Sequence, residues 1–181
     1  HLNIAVDKEA CPLFLAPTSS TTASLVMGDA LAVTLMKLRD FKEENFAKFH
    51  PGGSLGRRLL TTVGDVMKKK NLPIISSQAA IKEVIQKISE GKLGLVVIID
   101  NNKIIGIITD GDIRRTMESR EKDFFNLKAE DLMSNHPKLI YESDKLISAS
   151  NIMSQHKINS LLVVNESNDL VGVVQVYDLG V

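Results

Sequence analysis

Cysteine is almost missing from this chain. Cys11 is its one thiol, so no intrachain disulfide can form, and a reducing compartment fits. Net charge is missing too. The 181 residues carry 22 basic and 22 acidic side chains, a balance that gives no electrostatic case for nucleic acid or an anionic membrane as partner. The basic clusters Arg57-Arg58 and Lys68-Lys69-Lys70 are short enough to read as solvated loops. Long hydrophobic runs are lacking as well. The longest, 95–99 and 104–108, have the length of strands rather than of a membrane span, and no segment has the pattern of a secretory signal. The expectation is a cytoplasmic protein. His1, His136 and His156 have no partners at metal-ligand spacing, so the sequence assigns them no role and predicts no metal and no cofactor.

What the chain does have is a repeat of itself. Asp65-Val66-Met67 returns as Asp131-Leu132-Met133. Gly94-Leu95-Val96-Val97 returns, altered, as Ser160-Leu161-Leu162-Val163. The stretch from Gly106 to Ile113 returns as the stretch from Gly172 to Leu179. All three pairs share an offset of 66 residues. One register kept across three anchors means two copies of one structural unit. Hydrophobic residues make up 44% of the chain, enough for packed cores in both.

Each copy reads alike. An Asp-x-Met turn opens it, and a short strand follows at 74–75 or 139–141. An amphipathic helix comes next, with Ile81, Val84, Ile85 and Ile88 at helical spacing in the first copy and Leu146, Ala149, Ile152 and Met153 in the second. Two strands then flank a polar turn, 100–103 or 165–169, and a helix starts near Asp112 or Asp178. Ahead of the repeats, residues 1–6 read as a strand and 7–19 as a loop with two prolines. A hydroxyl cluster at 18–22 caps a helix running from about Thr21 to Arg39, with Leu25, Leu31, Leu35 and Leu38 expected on its buried face. Residues 40–49 are helix-like. His50-Pro51-Gly52-Gly53-Ser54-Leu55-Gly56 breaks the pattern with a specially shaped backbone. The chain opens on His1 inside that first strand, which implies that part of a domain lies upstream.

The duplicated unit, closing each time on a Gly-Ile-Ile-Thr-Asp-Gly-Asp-Ile-like stretch, resembles a CBS domain, a family whose members pair about a pseudo-twofold axis. The resemblance implies an α+β pair, with 63–126 as the first domain and 127–181 as the second. It also implies a nucleotide at the cleft, with Thr109 near phosphate and Asp112 and Asp178 accepting from ribose hydroxyls. The second copy departs from the pattern, since Gln175 stands where Thr109 does in the first. Both aspartates could equally be helix caps.

Four further blocks resemble D-arabinose 5-phosphate isomerases. They are Lys8-Glu9-Ala10-Cys11-Pro12-Leu13; Leu15-Ala16-Pro17-Thr18-Ser19-Ser20-Thr21-Thr22; Met27-Gly28-Asp29-Ala30-Leu31-Ala32; and the stretch from Phe49 to Arg57. Those enzymes carry a sugar isomerase (SIS) domain before two CBS domains. On this resemblance the fold class is α/β, with 1–62 the C-terminal part of a doubly wound SIS sheet. The implied reaction is aldose–ketose isomerisation of D-ribulose 5-phosphate to D-arabinose 5-phosphate, in Kdo and lipopolysaccharide biosynthesis, by a homotetramer. Proton movement through an enediol needs a base and a second proton-transfer or ring-opening group. Glu9 and His50 are the carry-over residues, and spacing does not assign which does which. Thr18, Ser19 and Ser20 either contact the sugar phosphate or simply cap the helix. The upstream phosphate loop of that family has no counterpart here, so the chain alone is expected to be inactive. A second reading is a ligand-sensing CBS module for a nucleotide or nucleotide-sugar such as CMP-Kdo, AMP or ATP.

Overall fold

Backbone pairing divides this chain sharply. The computed structural model describes residues 1–50 and 52–180, apart from the side chains of residues 44, 54 and 55, and the chain splits into two units, His1–Phe49 and His50–Val181. Pro51, part of the expected special turn, lies outside the described residues.

The first unit is helical. Helix α1 (Ser19–Leu38) is followed by α2 (Glu43–Phe49). Residues 1–6, expected as a strand, form none, because no neighbouring segment supplies the ladder that an extended backbone needs. The expected buried face of α1 is also absent: none of its residues is buried, and Leu25 and Leu38 are 67% and 77% exposed. Its 20 residues are long and apolar enough, by length and composition, to cross a membrane, contrary to the expectation that no such segment exists. Four of its hydroxyls bond back to carbonyls one turn earlier: Thr21 and Thr22 to Thr18, Ser24 to Ser20 and Thr34 to Ala30. These bonds hide polar groups that would otherwise mark the helix as water-facing.

The second unit opens with α3 (Ser54–Leu60), a helix that the glycine-rich sequence conceals. Gly53 caps it with φ −86°, so this turn uses no left-handed glycine at that position. The first repeat then runs α4 (Val63–Val66), β1 (Ile74–Ile75), α5 (Ile81–Gly91), β2 (Leu95–Asp100), β3 (Lys103–Thr109) and α6 (Asp110–Ser119). The second runs α7 (Ala129–Leu132), β4 (Leu139–Tyr141), α8 (Leu146–His156), β5 (Ser160–Val164) and β6 (Leu170–Gln175). A 3-10 turn, Val176–Leu179, replaces the closing helix of the second copy. Each sheet has three strands, the first parallel and the last antiparallel to the middle one. The polar turn between β2 and β3 puts Asn101 and Asn102 at positive φ, as a tight hairpin requires.

Each repeat buries its helix against one face of its own sheet. Ile81, Val84 and Ile88 of α5 meet Val96, Ile98 and Ile108; Leu146, Ala149 and Met153 of α8 meet Leu161, Val163 and Val174. The opposite sheet faces form a third cluster shared by both copies, with Leu95, Val97, Leu162 and Val173. Strands buried on both faces explain why β2 and β5 read as unbroken apolar runs.

The Asp-x-Met segments are exchanged between the copies. Met67 and Val63 lie in the core of the second repeat, and Leu132 and Ala129 in that of the first. Lys68 pairs with Val173, and Ile107 with Ser134. This crossing explains the repeated glycines: a Cβ on Gly172 would sit 2.5 Å from Met67 Sδ and 2.9 Å from Lys68 O, and one on Gly106 would sit 2.7 Å from Met133 Sδ. Methionine and glycine recur together because each methionine packs on the other copy's glycine.

Candidate functional site

Exchange of these segments brings the two copies together around a cavity of about 850 Å³. One wall comes from the first repeat, where β3 ends and α6 begins. Thr109 is the N-cap of α6. Its Oγ1 accepts from Asp112 N at 3.3 Å and donates to Asp112 Oδ2 at 2.7 Å, while Thr109 N donates to the same oxygen at 2.8 Å. The Thr-x-x-Asp spacing is thus a capping box. Arg115, one turn on, donates to Asp112 Oδ1. Thr109, Asp110, Gly111, Asp112 and Arg115 all line the cavity. Capping and ligand contact are therefore compatible roles for Asp112.

The other wall belongs to the second repeat: residues 136–138 ahead of β4, residues 156–160 leading into β5, then Gln175 and Tyr177. Gln175 is committed to structure. Its Nε2 donates to Leu93 O in the first copy and to Ser160 Oγ in its own, both at 3.0 Å. Asp178 is not among the lining residues; its Oδ2 accepts from Gln175 N at 2.8 Å. Of the two equivalent capping boxes, that of Thr109 and Asp112 puts its carboxylate at the cavity, while that of Gln175 and Asp178 does not.

In the first unit, Glu9 reaches the start of α1. Its Oε2 accepts from Thr18 N at 2.7 Å, Thr18 Oγ1 at 2.9 Å and Ser20 N at 3.3 Å. Thr18 Oγ1 in turn accepts from Ala10 N at 2.9 Å. The hydroxyl cluster does not cap α1 by itself; the carboxylate nine residues upstream does so, on the positive end of the helix. The Ser20 hydroxyl and the Thr18 N–H contribute most to holding the Glu9 carboxyl down at about 2, so it is charged at neutral pH. Glu9, Thr18, Ser19 and Ser20 are thereby one local constellation. Backbone N–H groups, that of Ala16 foremost and then Leu15 and Leu13, lower the Cys11 thiol below its ordinary range. His50 is exposed at the start of the second unit, just ahead of α3.

Sequence reasoning passed over the second-repeat wall. His136 and His156 lie 20 positions apart with no motif joining them, and only the pairing of β4 with β5 brings their loops together.

Two stacked three-stranded sheets with exchanged opening segments and a cleft at their strand ends define a CBS domain pair. The CBS domain model matches residues 63–119 and 129–179, and the chain belongs to that family. Over nearly its whole length it is also similar to curated isomerases. It is 44% identical to arabinose 5-phosphate isomerase KdsD of Francisella tularensis, covering 98% of this chain and 54% of that protein. It is 42% identical to arabinose 5-phosphate isomerase KpsF of Escherichia coli, again over 98% of this chain and 54% of the relative. The chain thus spans about half the length of the curated relatives it matches. Among solved structures, the CBS domain protein PAE2072 from Pyrobaculum aerophilum, complexed with AMP, superposes with a TM-score of 0.59 at 23% identity, covering 65% of this chain and 89% of that one.

Proposed function

We propose that this chain is the regulatory part, with a portion of the catalytic domain, of an isomerase that interconverts D-ribulose 5-phosphate and D-arabinose 5-phosphate, and that its CBS pair binds one anionic nucleotide. The single observation that carries the ligand reading is the cavity between the repeats, with Thr109 and Asp112 on its wall. A carboxylate can accept both hydrogen bonds of a ribose diol, and the first turn of α6 favours an adjacent negative charge. Asp112 lines the cavity and Asp178 does not, so the stoichiometry in this reading is one ligand per chain. CMP-Kdo, the activated product of the Kdo route, is the feedback candidate, and AMP and ATP are the alternatives.

Similarity to the curated isomerases supports the enzymatic half of the reading. Glu9 is the proton-transferring carboxylate and His50 the ring-opening or second proton-transfer group, with Thr18, Ser19 and Ser20 against the sugar phosphate. A carboxyl held at about 2 is a weak base, so Glu9 must lose some of its cap bonds to take a proton. The 181 residues alone are inactive in this reading, and the complete enzyme is a cytoplasmic homotetramer. The test is ribulose 5-phosphate turnover in a polypeptide of the relatives' full length carrying these residues. His50→Ala is expected to reduce kcat about a hundredfold or more. Unchanged kcat in that variant removes His50 from the mechanism.

A further inference from the structure

Charge in the cavity is distributed unevenly, and the duplication does not explain it. His136, Lys138, His156 and Lys157 line the second-repeat wall. In the strand registers Ile74 matches Leu139 and Val97 matches Leu162, so the first copy has Asn71, Pro73, Gly91 and Lys92 in their places, and none of these four lines the cavity. The two loops lie side by side because β4 and β5 run parallel in register, Leu139 opposite Leu162, and Leu162 N donates to Lys138 O at 3.2 Å. All four cationic-type side chains are exposed.

We infer that this wall is an anion clamp, that the ligand is a ribonucleotide whose negative groups face it, and that its affinity rises when His136 and His156 take up protons. The inference rests on the nucleotide reading of the cavity above.

The remaining charged and titratable lining groups are Asp110, Asp112, Arg115 and Tyr177. Imidazole is the one side-chain type in the whole set whose ordinary titration range falls between pH 6 and 8. With both imidazoles neutral, the lining holds three cations against two carboxylates; with both protonated, it holds five against two. One of those carboxylates, Asp112, is partly offset by Arg115, which donates to its Oδ1. A bound anion favours the charged imidazoles, so the extra affinity is present at the acid end of that range and is lost toward its alkaline end. Because the side chains are exposed, the gain is modest and salt-sensitive.

The test titrates CMP-Kdo into the 181-residue chain at pH 8 and pH 6. Its phosphodiester and carboxylate keep their charge across that window, so a change in affinity reports on the protein. Adenosine, which has the diol and no anion, is the control. The expected result is binding of CMP-Kdo about five- to tenfold tighter at pH 6, reduced by 0.5 M salt, with adenosine unaffected. The double variant His136→Gln/His156→Gln is expected to bind at pH 6 with the wild-type pH 8 affinity. Equal CMP-Kdo affinity at both pH values overturns the clamp and leaves the cavity reading standing. An identical pH dependence for adenosine also overturns it. Absence of binding by either compound at both pH values overturns the cavity reading itself, and the clamp with it.

Discussion

Single residues in this chain carry more than one task, and the hydrogen bonds show which task comes first. Glu9 is a helix cap before it is anything else. Its carboxyl is depressed to about 2 by Ser20 and Thr18, so the stabilisation it gives the start of α1 is complete above the ordinary glutamate value of about 4.3 and is lost as the pH falls toward 2. Backbone amide shifts of Thr18 and Ser20 are expected to move together through a transition well below pH 4, and Glu9→Gln is expected to abolish that transition. A midpoint near 4.3 would contradict the cap. At this scale the sequence was partly legible. Thr109 and Asp112 were singled out through the resemblance to CBS domains, while the capping box that joins them, with Thr109 and not Asp112 as the N-cap, came from the hydrogen bonds. The Glu9 cap was not legible, because its partners lie nine and eleven residues away and local spacing does not record them.

At the scale of elements, the exchanged Asp-x-Met segments couple the two repeats. Gly172→Ala is expected to destabilise the chain by about 2–3 kcal/mol, because its new Cβ would meet the backbone oxygen of Lys68 as well as Met67. Gly106→Ala is expected to cost about 1 kcal/mol, since all three of its nearest neighbouring atoms belong to the flexible Met133 side chain. Chemical denaturation of both variants checks the order, and equal losses would contradict the packing argument. Strand, helix, strand, strand was legible in both copies because periodicity and turn residues are local signals. The exchange itself was not, since which core Met67 enters depends on the other copy. Residues 1–6 failed as a strand for a related reason: alternation describes a strand's faces but does not supply its neighbour. The exposed apolar helix α1 likewise has the pattern of a buried element without a partner among the described residues.

At the scale of the whole molecule, duplication builds the frame and departures from it build the site. Gln175 ties the two copies together where Thr109 in the first copy faces the cavity, and the second-repeat wall carries the cations. The pair fold was legible from the repeated anchors, of which Met67/Met133 and Gly106/Gly172 keep the 66-residue offset while the strand registers put the middle one at 65, and the asymmetry of the cavity required the fold to be in place. The most direct test of the account is a calorimetric titration of the 181-residue chain with AMP, ATP and CMP-Kdo, repeated with Asp112→Asn. One ligand per chain, with affinity reduced about tenfold or more by Asp112→Asn, is the predicted result. Two equivalent sites, or binding indifferent to Asp112, would contradict it.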